Sequence, residues 1–404
     1  MITGIGIISA LGRGRDSHVA AAAEGRSGIR AISSIDASGL DCRIAGEVPA
    51  SALEGQGTRG DRFTRFALIA AAEAAAQAGL EDPRLDRTRI ATVIGTGMGG
   101  SETVDAAYER MYSRGLTRMP PTTIPQSMYN AATSAVSSML EAKGPAFAVV
   151  SACASGAHAI GQAADWVRAG RADIVICGAS DAPIVPGMIR GWESLRVLSI
   201  ENDSPETACR PFSADRKGLV LAEGAGILIL EGARSAARRG AQILGEVAGF
   251  GLTSNAGHPT DPSAEGAARA ISLALADASV QAEAIEYINA HGTATRANDV
   301  VETRAIHHAL GPHSTRVPVS STKSIHGHAM GASGAIEAAL SLVALNEAII
   351  PPTRNLNAPD PECDLDYVSE GARERIVDYF LSNSFGFGGM NAVLALRTRH
   401  FLEF

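Results

Sequence analysis

Short apolar runs of strand length alternate with alanine-rich helical stretches along the whole chain, and the order of the parts occurs twice. The runs lie at 2–8, 90–94, 147–150, 174–177 and 227–230, then at 243–247, 285–289, 317–320 and 392–396. Each set reads as an opening strand and a long helix, then a strand entering a Gly/Thr turn (Gly95-Thr96-Gly97, later Gly292-Thr293). A further strand, a small-residue loop and a buried helix follow. This alternation predicts an α/β protein, and its recurrence predicts two similar halves, 1–240 and 241–404, with no low-complexity linker between them. The helix after Cys153 puts Ile160, Ala163, Ala164 and Val167 on one face and stops at Gly170, as a helix buried against sheets would; residues 335–345 repeat that behaviour. The two halves then bring the Cys153 loop and the loop from Lys323 to His328 to equivalent positions facing a central cleft.

Composition narrows the function. With 46% hydrophobic and 19% charged residues, the 404-residue chain has ample material for a large core. A net charge of −8 argues against a general nucleic-acid binder. Apolar stretches are interrupted by Glu73, Glu223 or Glu337 before reaching membrane-spanning length, and no charged leader precedes an apolar segment, so the expectation is a protein that neither spans a membrane nor is exported. The five cysteines (Cys42, Cys153, Cys177, Cys209, Cys363) are scattered without CxxC spacing, which predicts neither a disulfide framework nor a metal site and fits a reducing cytoplasm.

Cys153 stands apart from the other four. In Val149-Val150-Ser151-Ala152-Cys153-Ala154-Ser155-Gly156 an apolar strand ends in small residues and a helix begins, so the sulfur meets a helix N-terminus and free backbone N–H groups that favour thiolate and can bind a developing oxyanion. Two downstream segments offer glycine-flanked histidines: Asn289-Ala290-His291-Gly292-Thr293-Ala294-Thr295, followed by Asp299 and Glu302, and Ser321-Thr322-Lys323-Ser324-Ile325-His326-Gly327-His328, leading through Gly331 and Gly334 to Glu337. A thiolate with two histidines points to acyl transfer. A fourth segment, Ser382-Asn383-Ser384-Phe385-Gly386-Phe387-Gly388-Gly389, precedes the last strand.

Together these four motifs resemble the β-ketoacyl-acyl-carrier-protein synthases, the decarboxylating condensing enzymes of fatty acid and polyketide synthesis. The resemblance covers nearly the whole chain, from Thr3-Gly4 through Arg210-Pro211-Phe212 and Glu223-Gly224-Ala225-Gly226. Gly178-Ala179-Ser180-Asp181-Ala182-Pro183 and Cys209-Arg210-Pro211-Phe212-Ser213-Ala214 look most like the branch containing the rhizobial nodulation ketoacyl synthases.

The resemblance implies a thiolase-like duplicated fold, layered α-β-α-β-α with two pseudo-symmetric halves. It implies Cys153 as acyl acceptor, His291 and His328 acting on a malonyl thioester, Lys323 supporting that site electrostatically, and Glu337 at the family's acidic position outside the reacting groups. Backbone N–H groups of Cys153 and Phe387 would form the oxyanion hole, with Phe387 also gating the acyl pocket. Thr293 and Thr295 would bind the phosphopantetheine arm of an acyl carrier protein; Met98, Phe385, Phe212, His258 and Thr260 are further substrate-contact candidates. The enzyme itself needs no cofactor or metal. Carrier docking falls to Arg216, Arg62, Arg65 and Arg118, with Arg59 beside them, although the group from Arg59 to Arg65 reads equally as a solvated helix face.

Other residues have plainer readings. His326 is structural, His258 divides between function and loop packing, and a pairing role for Glu337 stands beside a catalytic one. His18, His158, His307, His308, His313 and His400 carry no motif. Leu219, Ala222 and Lys217 depart from the residues common in the family, and Met98, a flexible thioether, leaves acyl length open. A thiolase would need a second cysteine near Phe385 to Gly389, and an initiating or chalcone-type synthase would use an asparagine with one histidine. A chain-length factor would lack the nucleophile. The expected assembly is a homodimer, with a heterodimer of this chain and a chain-length factor as the alternative.

Overall fold

In the computed structural model, which describes residues 1–55, 57 and 60–402, ten main strands form two five-stranded arrays. In the first, β1 (Ile2–Ser9), β2 (Ile90–Gly95), β3 (Ala146–Val149), β4 (Ile174–Asp181) and β5 (Gly224–Glu231) lie in the order β3-β2-β4-β5-β1. In the second, β6 (Gly245–Ser254), β7 (Ile285–Asn289), β8 (Val319–Ser320), β9 (Tyr379–Gly386) and β10 (Met390–Thr398) lie in the order β8-β7-β9-β10-β6. Counted from each half's own first strand, the orders are the same. The directions match too: β3, β2 and β4 run parallel, as do β8, β7 and β9, while the remaining neighbours pair antiparallel. The arrays join through one pair, Ile2 with Gly245.

Six helices set the layers: α1 (Arg62–Ala78), α2 (Ser155–Arg168), α3 (Pro186–Ser194), α4 (Ala264–Ala278), α5 (Arg296–Leu310) and α6 (Ser333–Leu345). Helices α2 and α6 pack on each other between the two arrays; α1 covers the outer face of the first array, and α4 that of the second with α5 packed against it. The layering is α-β-α-β-α. Every residue of α6 is buried, which its sequence permits because Glu337 is its only charged residue. Each fully buried Ile or Leu there contributes about 1.5–3 kcal/mol. Close approach at the centre requires glycine, since a Cβ on Gly156 would lie 2.7 Å from the Ala335 nitrogen.

Two sequence expectations shift. The run at 317–320 yields only the two-residue β8. The fourth motif, expected only as a segment preceding the last strand, lies mostly in a strand of its own: Tyr379–Gly386 runs antiparallel to β10 along its full length, and only Phe387–Gly389 turns. Its serines, asparagine and glycine hide the strand because propensity is overridden by burial between two partners. Among the described residues no helix is long and apolar enough to cross a membrane.

Candidate active site

Strand β3 ends at Val149, and the chain turns through Ser151–Ala154 into α2. Ala152 takes φ +50°, a left-handed conformation costly for a residue with a Cβ. The turn is held by Ser155, whose hydroxyl accepts from Ser151 N (2.9 Å) and lies 2.7 Å from the Ala152 carbonyl and 3.1 Å from that of Thr96. Cys153 thus sits two residues ahead of α2, at the inner end of a 610 Å³ cavity lined also by Thr293, Thr295, His291, His328, Phe385 and Phe387.

The second half supplies the histidines. His291 follows β7, where the buried Glu302 carboxylate accepts from the backbone N–H of His291 (2.8 Å) and Gly292 (2.7 Å), and from Asn383 Nδ2 (3.1 Å). His328 is pinned by backbone bonds to Val220 (2.7 Å) and Ala222 (2.8 Å), and its Nδ1 lies 2.8 Å from Ser333 Oγ at the start of α6. Its Nε2 lies 3.2 Å from Cys153 Sγ, and the two imidazoles meet edge to face with centroids 5.4 Å apart. Lys323 Nζ donates to the His291 carbonyl (2.6 Å), stands 3.4 Å from His291 Nδ1, and pairs with Glu337 at 2.5 Å.

Burial, reinforced by the Lys323 charge, drives both histidines well below the ordinary imidazole range, so they are neutral at neutral pH. Burial also raises Glu337 to about 7 against the pull of Lys323. For Cys153 the sequence expectation is corrected. Burial pushes the thiol up to about 11, outweighing Lys323 and the backbone N–H groups of Phe387 and Cys153 that favour the anion. Burial thus favours the thiol, and His328 Nε2 stands 3.2 Å from the sulfur, within reach of its proton. The same two N–H groups are the pair assigned to the oxyanion hole.

Other assigned residues fall in several places. Thr293 and Thr295 line the cavity with their hydroxyls 2.9 Å apart. Thr260 lines its outer part, but His258 does not; its ring is exposed beside Thr260 and Asp261. Met98 packs in the apolar cluster that includes Cys153, Ile184 and Met330. Phe387, 37% exposed, stacks on Trp192 of α3 with centroids 5.7 Å apart, a partner the sequence did not reveal. Gly388 (φ +82°) and Gly389 (φ +72°) take conformations that favour glycine, and Gly388 N donates to Pro259 O (2.7 Å), tying this turn to the 255–260 loop.

Phe212 is not a substrate contact. It is fully buried, stacked on Tyr367 at 3.9 Å, with its N–H donating to Asp299. Arg216 is not a docking residue: at 3% exposure its guanidinium donates to the carbonyls of Ser213 (2.7 Å), Thr295 (3.1 Å) and Arg296 (2.9 Å) and to Asp360 (2.7 Å). Arg62 is held against buried Glu223 at 2.5 Å, and the Arg65 side chain is mostly covered, 3.7 Å from Glu102. Arg118 is exposed, whereas Arg59 lies outside the described residues. Asp181, quoted in the sequence only as part of a branch resemblance, is a buried carboxylate that accepts from the backbone N–H of Met98.

Comparison with known proteins agrees along the length of the chain. Residues 1–236 match the β-ketoacyl synthase N-terminal domain and residues 244–357 the β-ketoacyl synthase C-terminal domain. The chain is 45% identical to a 3-oxoacyl-[acyl-carrier-protein] synthase 2 of Synechocystis sp., over 98% of this chain and 97% of that one. It is 43% identical to Nodulation protein E of a Rhizobium species, over 98% of each. A solved ishigamide ketosynthase/chain length factor superposes with a TM-score of 0.92 at 36% identity, covering 98% of each chain. Both halves match one enzyme family, and relatives match over nearly the whole chain, so this chain belongs to that family: it is a β-ketoacyl synthase.

Proposed function

We propose that the chain catalyses decarboxylative Claisen condensation: an acyl group held on Cys153 is joined to the malonyl group of a carrier protein, giving a 3-oxoacyl carrier protein and CO₂. The observation that carries this reading is the 3.2 Å contact between Cys153 Sγ and His328 Nε2, with neutral His291 beside them in one cavity. As the Cys153 sulfur attacks the acyl thioester, its proton passes by way of His328 to the departing pantetheine thiolate, so the first half-reaction is balanced. The tetrahedral oxyanion faces the N–H groups of Cys153 and Phe387, and removing one such donor typically costs about 10²–10³ in rate. Malonyl then enters along Thr293 and Thr295. Its carboxylate leaves as CO₂, and the electron pair from the broken C–C bond forms an enolate. Neutral imidazoles can donate hydrogen bonds to that oxygen without protonating the carbon. The enolate carbon attacks acyl-Cys153, and the thiolate released takes a proton from solvent.

The substrates supply the phosphopantetheine, and the reading requires no bound cofactor. Intact-mass detection of acyl-Cys153, with CO₂ release from malonyl carrier protein, tests it; a chain that forms neither would reject it.

For assembly we favour a homodimer working in the cytoplasm. Strand β3 is an unpaired edge of its array, and Tyr108, Tyr112, Ile124, Tyr129 and Val150 are exposed apolar groups on the adjoining elements. The solved ketosynthase/chain length factor keeps the heterodimer open as the second reading. Native mass of the chain purified alone distinguishes them: a condensing dimer supports the first, and a chain that turns over only after a chain-length factor is added supports the second.

A further inference from the structure

Asp181, at the end of β4, has no counter-ion among the described residues and is fully buried. A carboxylate so placed persists only when donors surround it. Four do. Thr96 Oγ1 donates to Oδ1 at 2.6 Å, Met98 N to Oδ1 at 2.9 Å and Gly97 N to Oδ2 at 2.8 Å, and the Gly331 N–H lies close enough to favour the anion. The approach of Gly331 is so close that a Cβ there would lie 2.7 Å from Oδ2 and 2.4 Å from Gly97 N.

These donors lie on two segments, Thr96–Met98 and Gly331, and the first of them borders the Cys153 turn. Met98 is a wall of the apolar cluster around Cys153. The Thr96 carbonyl accepts from the Ser155 hydroxyl that holds the Cys153 turn. Gly331 lies between His328 and Ser333, the residue whose hydroxyl orients the His328 ring. The 96–98 segment, the Cys153 turn and the His328 turn lie far apart in the chain, and one carboxylate touches or borders all of them.

We propose that Asp181 is a positioning residue of the condensing site, holding the acyl-pocket wall, the nucleophile turn and the His328 turn in one register. This rests on the condensation reading above. An amide at the same place offers one oxygen and turns an NH₂ toward N–H donors, so at least one main-chain donor is left buried and unpaired. Displacements near 1 Å at a reacting centre cost on the order of 100-fold.

The test is Asp181→Asn, with Thr96→Val as the milder companion that removes one donor and keeps the charge. Three quantities are measured at a temperature where each variant is folded by circular dichroism: kcat and KM for condensation, the relative rate of Cys153 loading with short, medium and long acyl chains, and amide hydrogen exchange at Gly97, Met98 and Gly331. Asp181→Asn is expected to lose roughly 10- to 100-fold in kcat with KM for malonyl carrier protein little changed, to alter the chain-length order, and to exchange faster at all three amides. Thr96→Val should shift the chain-length order with a smaller loss. If Asp181→Asn is unfolded, Thr96→Val alone decides. A folded variant with wild-type kcat, wild-type chain-length order and unchanged exchange overturns the proposal, even if its melting temperature falls. The exchange measurement needs no substrate, so failure of the condensation reading would leave it standing as a separate result.

Discussion

Replacing Arg216 with Met separates two readings of the same residue. As a surface docking group, its loss would weaken only the encounter with an acidic carrier, in a salt-dependent way. The structure gives a different expectation. The guanidinium makes four hydrogen bonds, and Asp299, fully buried, lies 3.6 Å from Nε. Methionine would fill the volume but leave the Thr295, Arg296 and Ser213 carbonyls short of a donor and Asp299 without its nearest cation. Removing one partner of a buried charge pair costs about 3–5 kcal/mol, and the lost carbonyl bonds belong to the same network rather than adding to that figure. Urea unfolding of the variant should therefore show a stability loss of about 3–5 kcal/mol. Thr295 is anchored by Arg216 and lines the cavity, so KM should also rise for a carrier-free acyl pantetheine thioester. An unchanged urea midpoint, together with a KM increase confined to carrier-bound substrate and erased by salt, would refute the buried-organiser argument.

Cys153→Ala should abolish acyl-enzyme formation by intact mass; an acyl group of the expected mass on another cysteine would overturn the nucleophile assignment. Because the Cys153 thiol is held up near 11, His328→Ala should slow both acyl loading and CO₂ release, whereas His291→Ala should slow CO₂ release and leave loading measurable. Rapid-quench rates for the two half-reactions check this, and equal effects of both variants on loading would contradict it. Glu337 has its folded-state value raised from 4.5 to about 7, so between those values the folded protein binds more protons than the unfolded one. Its contribution to stability therefore falls as pH rises from about 4.5 to about 7. Glu337→Gln should flatten the urea midpoint across that window, and an unaltered slope would count against the assignment. Phe387→Ala should red-shift the emission of Trp192, one of two tryptophans, and let malonyl decarboxylation proceed without prior acylation; unchanged emission and unchanged dependence on acylation would remove the gate.

The sequence displays the chemistry well because motif residues are local. Cys153, His291 and His328 each sit in a short glycine-containing run, and the alternation of strands and helices brings those runs to one cleft. Residues acting through distant partners are poorly legible. Arg216 and Arg62 look like surface charges because Asp360 and Glu223, the carboxylates that accept from them, are 144 and 161 positions away in sequence. Phe212 looks like a pocket aromatic until Tyr367 arrives from the far half. Strand β9 is concealed by Ser382, Asn383 and Ser384, polar residues of low strand propensity that the fold nevertheless buries. The thiol makes the same point about electrostatics. A helix start favours the anion locally, but the burial that reverses the balance is a property of the whole fold.

The matching strand orders of the two halves have a consequence for how this enzyme can change. Cys153 follows the third strand of one array and Lys323 the third strand of the other, so under the proposed mechanism one architectural position serves twice, once to receive an acyl chain and once to release a carbon nucleophile. The two positions are encoded far apart in the chain but meet at one contact, His328 Nε2 against Cys153 Sγ. A substitution beside either loop that moves this contact changes both tasks at once. In a duplicated scaffold of this kind donor choice and bond formation drift together at the shared contact and separately only away from it.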